Sequence, residues 1–314
     1  MSSSLQHTCK LPAVSPFDLR QSLRALDGFA PCAGEQRVAD GTVRKALALP
    51  GGEDAAVVEV GPRGDGRVGA SLAVFAERDL TEAERRWAER AVSDWLGLAD
   101  DTTGFLAVAA DDPAIAPVLD EVAGLHQVRF ASLAEGATYF VLTQRTSQRV
   151  AGVRKRRLAA AFGPATSVDG VRYQAFPGLE TLARLGPDEV GRFTANLRQT
   201  EYLVATVHAL LELDEEWLRT APYGEALAEL RRIRGVGEFT ANAIMLRVLG
   251  RPDRLPLAMP QFADIATRLY GPAVPIDTVA ERYGRYIGWW GYYAKTALAR
   301  LGVPTTHATR HRAA

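Results

Sequence analysis

The chain has 314 residues, 47% hydrophobic and 24% charged, which allows two or three domains with cores of their own and excludes global disorder. No run approaches eighteen consecutive apolar residues and the start lacks the charged, apolar and small segments of a secretory signal, so a cytoplasmic protein outside the membrane is expected. The formal net charge of zero is a cancellation: residues 1–125 carry 12 Lys and Arg against 20 Asp and Glu, and residues 126–314 carry 25 against 17.

In chain order, a helix is expected over 16–26. Strands are expected at 57–60 and 68–75 around a Gly-Pro-Arg-Gly-Asp-Gly loop, and a second helix is expected where Thr81 and Glu84 form a capping pattern. Trp87, Ala91 and Trp95 recur at spacing four along one side of it. From about Pro113 the pattern turns helical almost throughout, with breaks at Gly163-Pro164, Gly186-Pro187, Pro222, Gly235, Gly250 to Pro260 and Gly271-Pro272. The expected organisation is an α+β N-terminal domain at 1–112 and an all-helical region at 113–303, followed by a mobile tail at 304–314.

Cys9 and Cys32 make no Cys-x-x-Cys, and His7, His126, His208, His307 and His311 show no ligand spacing, so no metal site is expected and both thiols are read as free. The basic C-terminal part is a candidate for polyanion binding, because basic side chains displace counterions from phosphates; merely solvated Arg-rich helix faces remain the alternative.

The most informative segment runs from Leu230 to Ile244, Leu-Arg-Arg-Ile-Arg-Gly-Val-Gly-Glu-Phe-Thr-Ala-Asn-Ala-Ile. Two helical stretches meet at Gly235-Val236-Gly237, where the absence of side chains lets the amides opening the second helix face an outside anion. Close packing of two helices is the other use of such glycines. The fuller pattern, with Leu230, Ile233, Thr240 and Ala241, resembles the helix-hairpin-helix (about 223–249) of base-excision DNA glycosylases, and residues 10–303 look like the 3-methyladenine DNA glycosylase II type. Pro16-Phe17-Asp18, Leu142-Thr143-Gln144-Arg145-Thr146-Ser147, Gly250-Arg251-Pro252-Asp253 and Trp290-Gly291-Tyr292-Tyr293-Ala294 carry the rest of the resemblance.

That resemblance implies an α+β N-terminal domain followed by an all-α helix-hairpin-helix glycosylase body. It also implies a monomer that binds double-stranded DNA, flips an alkylated purine and hydrolyses its N-glycosidic bond. No cofactor would be required, though a monovalent cation could sit at the hairpin. Gly235, Val236, Gly237, Glu238, Thr240, Gln144 and Arg145 would contact DNA, Arg145 as the wedge beside the flipped base, while Trp290 and Phe239 would line the base pocket. The basic run Arg154 to Arg157 could track the backbone, or be a solvated face.

The family's catalytic aspartate stabilises a sugar that becomes positively charged as the bond to the base breaks. Counting without gaps, its place falls on Met259, whose thioether supplies no charge. Asp264 could take the role if the preceding loop were five residues longer, or it could be half of an i,i+4 pair with Arg268. Five residues along one helix rotate a side chain by about 140°. The alternative to an enzyme is a DNA- or lesion-binding protein of the same fold that lost its carboxylate. The family's arginine after the tryptophan is replaced here by Gly291.

Overall fold

Five antiparallel strands open the chain: β1 Ser4–Pro12, β2 Gln36–Ala39, β3 Thr42–Ala48, β4 Ala55–Pro62 and β5 Gly69–Ala76, in the sheet order β1-β5-β4-β3-β2. This computed structural model describes residues 3–303; the expected tail at 304–314, with His307 and His311, lies outside the described residues. Strand β5 alternates half-buried and buried positions along its whole length, as a sheet with one covered face requires. The covering helices are α1 Leu19–Asp27, capped by Asp18 accepting from the Arg20 amide at 3.0 Å, and α2 Glu82–Leu96. Helix α2 starts on a complete capping box: the Glu84 amide donates to Thr81 Oγ1 at 3.3 Å, and the Thr81 amide donates to Glu84 Oε2 at 2.8 Å.

Short helices α3 Thr103–Ala110 and α4 Ala116–Glu121 lead into the helical body. There α5 Leu133–Leu142 is buried at every position, and α6 Gln148–Phe162 follows it. Next come the hairpin β6 Ala165–Val168 and β7 Val171–Gln174, then α7 Leu179–Ala183, α8 Pro187–Gly191, α9 Leu197–Glu212, α10 Glu215–Thr220, α11 Tyr223–Arg232 and α12 Glu238–Arg247. The chain closes with α13 Pro260–Tyr270, α14 Ile276–Tyr283 and α15 Ile287–Arg300. None of the helices among the described residues is long and apolar enough to cross a membrane.

The sequence pattern missed β1, β2, β3 and α3, and it read the helical region without β6 and β7. Two Asp-Gly turns explain part of this: Asp40 and Gly41 (φ 51° and 73°) join β2 to β3, and Asp169 and Gly170 (φ 52° and 75°) join β6 to β7. Positive φ at both central residues is what a tight two-residue hairpin turn demands. The β6–β7 hairpin packs Val168, Tyr173 and neighbouring Ala175 against Ala46, Ala55 and Val57 of the main sheet. The helical pattern, which shows no break in the sequence between Gly186-Pro187 and Pro222, is interrupted before Asn196, which caps α9 by accepting from the Gln199 amide at 3.0 Å.

Besides the small cluster at the β6–β7 hairpin, two larger apolar cores form among the described residues. One joins the sheet to α2, α3 and the C-terminal helices through residues such as Leu72, Val74, Trp95, Phe105, Tyr283 and Trp289. The other lies among α5, α9, α11 and α12. Across the junction of sheet and helical body runs a buried ionic network. Lys155 on α6 reaches Glu135 on α5 and Glu35, each at 2.5 Å, and Lys45 on β3 reaches Glu135 at 3.2 Å. Cys32 donates to Glu135 at 3.2 Å; burial, and then the Glu135 charge, push its thiol up to about 12. Lys155 is therefore part of the interior, and among Arg154 to Arg157 it is excluded from any DNA-facing surface.

Candidate nucleic-acid interface

Helices α11 and α12 meet at a turn built by two glycines with different tasks. Gly235 has φ +90°, and a Cβ there would run into the Tyr202 ring, so both backbone conformation and packing require glycine. Gly237 has ordinary extended backbone and no atom within 4 Å of where its Cβ would stand. Space over Gly237 is open to solvent, directly before a ten-residue helix whose first turn receives no side-chain cap. The amides of that first turn and the positive end of the helix dipole face the open space.

The turn is clamped from the side. Gln144, just beyond α5, donates its amide to Gly235 O at 2.8 Å and to Thr240 Oγ1 at 3.3 Å. Gln199 on α9 donates in turn to the carbonyls of Val141, Leu142 and Gln144 at 3.2–3.3 Å. Thr240 is buried, and its hydroxyl and Gln144 act as fasteners, while Glu238 is exposed at the first position of α12. Arg145 follows Gln144 at the tip of the α5–α6 loop, exposed and with φ +53°. A left-handed backbone at a residue with a long side chain is strained and is found disproportionately at functional sites.

Beside this turn a cavity of about 450 Å³ opens along the seam between the two cores, a size that suits a small organic group. Helix α12 contributes Phe239, Asn242 and Arg247 to its wall, and the start of α13 contributes Met259, Gln261 and Phe262. One face of α15 supplies Gly291, Tyr292, Lys295 and Thr296, and the end of α1 supplies Arg24 and the segment to Pro31. Phe239 thus lines the cleft and is exposed. Among the described residues lining the cleft there is no Asp or Glu.

Asp264 lies elsewhere on α13, half-buried and paired with Arg268 at 2.9 Å, and it is not among the cleft residues. Met259, the position reached by gapless counting, does line the cleft and occupies the N-cap of α13. Trp290 also departs from the expected pocket role. It is fully buried behind the cleft and donates Nε1–H to Tyr270 OH at 2.9 Å. Tyr270 and Tyr283 donate to Asp112 at 2.8 and 2.7 Å, and Arg282 pairs with it at 3.0 Å. Burial alone would raise the Asp112 carboxyl; these donors, Tyr283 foremost, hold it below its ordinary value. One residue along a helix turns about 100°, so Gly291 rather than Trp290 faces the cleft. A Cβ at Gly291 would stand 2.9 Å from the Leu255 methyls and 3.2 Å from Phe262, so the arginine implied by the resemblance would require these side chains to shift.

Four cations border the cavity. Arg247 lies between the rings of Tyr292 and Phe29, 5.0 and 5.1 Å from their centroids. Arg24 turns to Glu121 at 2.7 Å, and Arg300 donates to Gln21 Oε1 at 2.6 Å. Lys295 is exposed to the cavity. The protein mass around the cleft, and then the charge of Arg247, lower its ammonium to about 8. Sequence reasoning missed Lys295, Tyr292 and Arg247; the spacing of Gly291, Lys295 and Ala299 at every fourth position of α15 was the available signal.

No family model matches the chain. The DNA-3-methyladenine glycosylase of Bacillus subtilis is 29% identical over 182 residues, 57% of this chain and 60% of that protein. The probable bifunctional transcriptional activator/DNA repair enzyme AlkA of Mycobacterium tuberculosis is 30% identical over 251 residues, 79% of this chain and 48% of that protein. The chain therefore spans less than two thirds of each relative. Among solved structures, 3-methyladenine DNA-glycosylase from Archaeoglobus fulgidus superposes with a TM-score of 0.73 at 20% identity, covering 92% of this chain and 97% of that one.

Proposed function

We propose that this chain, which belongs by fold to the helix-hairpin-helix DNA glycosylases, binds duplex DNA through the Gly235–Gly237 turn and receives an extruded alkylated purine in the adjoining cleft. The observation that carries this reading is the adjacency of the two features: Phe239 and Asn242 stand on the helix that the turn opens and also line the cavity. A phosphate seated on the first-turn amides of α12 would hold the backbone beside the cleft, and the exposed Arg145 would fill the gap left in the stack.

In the cleft the base would lie among Phe239, Phe262 and Tyr292, and hydrolysis would break the C1′–N bond with its electron pair leaving on the base. The sugar becomes cationic, and the uncharged polar groups of the lining include the amide of Gln261. That amide oxygen can accept a hydrogen bond from the attacking water, but it carries no full charge to offset the sugar. A second reading, a lesion-binding protein without turnover, is favoured by this one fact, the lack of a carboxylate in the lining. A monovalent cation at the hairpin would be held by carbonyls such as Gly235 O and Ile233 O, which accept from Gln144 and, at 3.0 Å, from the Val236 amide, and each keep a second lone pair.

Duplex affinity measured against salt tests the interface. Log affinity is expected to fall linearly with log salt at a slope near about −0.9 per phosphate contacted. Gly237→Asp should weaken binding by on the order of tenfold or more and flatten that slope, because it places a negative charge where the phosphate should sit. Its backbone conformation suits any residue, so the variant should melt like the wild type. Binding indifferent to salt, or unchanged in Gly237→Asp, would overturn the interface.

A further inference from the structure

We propose that the cleft is built for an alkylated purine that is electrically neutral, and that Lys295 is the proton donor to its leaving base. The inference rests on the glycosylase reading above and specifies its substrate class. Alkylation of a purine ring nitrogen in DNA commonly leaves a cation, and a site for a cation is expected to offer a carboxylate, or ring faces with no competing positive charge. This lining has ring faces but no carboxylate, and it brings four cations to them: its charged and titratable groups are Arg24 from α1, Tyr139 from α5, Arg247 from α12, and Tyr292, Lys295 and Arg300 from α15. Arg24 and Arg300 are turned to Glu121 and Gln21, and Arg247 is held between two rings and donates to Val128 O at 3.3 Å. Lys295 has no hydrogen-bond or ion-pair partner among the described residues and is open to the cavity.

A neutral purine adduct is a poor leaving group, because without protonation it departs as an anion. The ammonium of Lys295 gives a proton to a ring nitrogen of the base as the C1′–N bond breaks, so the base leaves neutral and the amine becomes neutral with it. Water then adds to the cationic C1′, forming the new C–O bond, and the proton it releases restores the ammonium. Atoms and charge balance without a metal or cofactor. An acid is most effective when its pKa lies near the working pH, and the surroundings of Lys295 lower it toward that range.

The test compares base release from two duplexes, one with 1,N6-ethenoadenine, a neutral alkylated purine, and one with 7-methylguanine, a cationic one. Wild type is expected to release the neutral base faster relative to spontaneous loss, with a rate that declines as pH rises through about 8. Lys295→Met should shift the neutral-to-cationic rate ratio by about a hundredfold or more toward the cation, the usual worth of general acid catalysis. Lys295→Arg keeps the charge but does not give up a proton at these pH values, and should resemble Lys295→Met. The inference is overturned if the ratio is the same in Lys295→Met, if Lys295→Arg behaves as wild type, or if only 7-methylguanine is released. Release of neither base from duplexes that bind overturns the glycosylase reading itself.

Discussion

Met259→Asp is expected to increase the release of alkylated purines by about 10²–10³, the usual worth of one well-placed charge-stabilising group in an active site. Met259 lines the cleft at the N-cap of α13, so an aspartate there faces the space where the sugar cation forms. The dipole of α13 and the cations Arg247 and Lys295 would keep it ionised. The same side chain can accept from the free amides of the α13 first turn, which now receive no side-chain cap, and an N-cap of this kind is worth about 0.5–2 kcal/mol. Two readouts should therefore move together: faster base release and a higher melting temperature. Asp264→Asn serves as the comparison. Asp264 stands outside the lining and pairs with Arg268, so its loss should leave base release close to the wild-type rate. A stabilised Met259→Asp variant with no gain in release would show that the cleft does not hold the sugar near position 259. Abolished release in Asp264→Asn would instead make Asp264 the acid.

Lys155→Met should destabilise the fold by about 3–5 kcal/mol, the cost of removing one partner from a buried ionic group. Lys155 and Glu135 are both almost fully excluded from solvent, and the lysine is held by two carboxylates at 2.5 Å. Burial would raise the Glu135 carboxyl, yet Lys155 and then Lys45 hold it below its ordinary value. For Glu35, burial outweighs Lys155 and its carboxyl already lies above the ordinary range. Without Lys155 it rises further, and a carboxyl raised in the folded state favours folding more as pH falls. The deficit of the variant should therefore shrink from neutrality toward about pH 4.3, the unfolded carboxyl value. Adding Glu35→Gln should restore part of the loss at neutral pH, because the two sites share one network. Urea melts at two pH values check all three statements.

The hairpin was legible in the sequence because its requirements are local. A glycine at positive φ, a second glycine under open space and flanking apolar residues at helical spacing leave a fixed pattern over fifteen residues. The Thr81 capping box and the breaks that bound α11 and α13 were legible for the same reason. Strand β3 was not, because Arg44-Lys45 interrupts its apolar run, and only the fold shows that Lys45 is buried against Glu135. The two Asp-Gly turns at 40–41 and 169–170 were a usable local signal for hairpins, the second masked by the helical pattern around it.

The cleft was legible only in part. Phe239 could be placed because it is adjacent to the turn, but the cavity is assembled from α1, α5, α12, α13 and α15, segments up to 276 residues apart between Arg24 and Arg300. No periodicity within one helix reports which of its faces will meet the others. Trp290 and Gly291 show how fine the distinction is, since one step along α15 separates the hydrogen-bonded aromatic interior around Asp112 from the cavity wall. In the sequence, gapless counting against the resemblance puts Met259 where a carboxylate is expected. That no other lining residue supplies one became visible only once the lining was assembled.

Single-turnover base release tests the central claim most directly, with protein in excess over a duplex carrying one alkylated purine and detection of both the free base and the abasic site. The expected result is release above the spontaneous rate by wild type, its loss in Gly237→Asp at limiting protein, and its recovery when that variant is raised to saturate the duplex. Absence of free base from a duplex shown to be bound, or release by Gly237→Asp equal to wild type at limiting protein, would contradict a cleft fed by the hairpin.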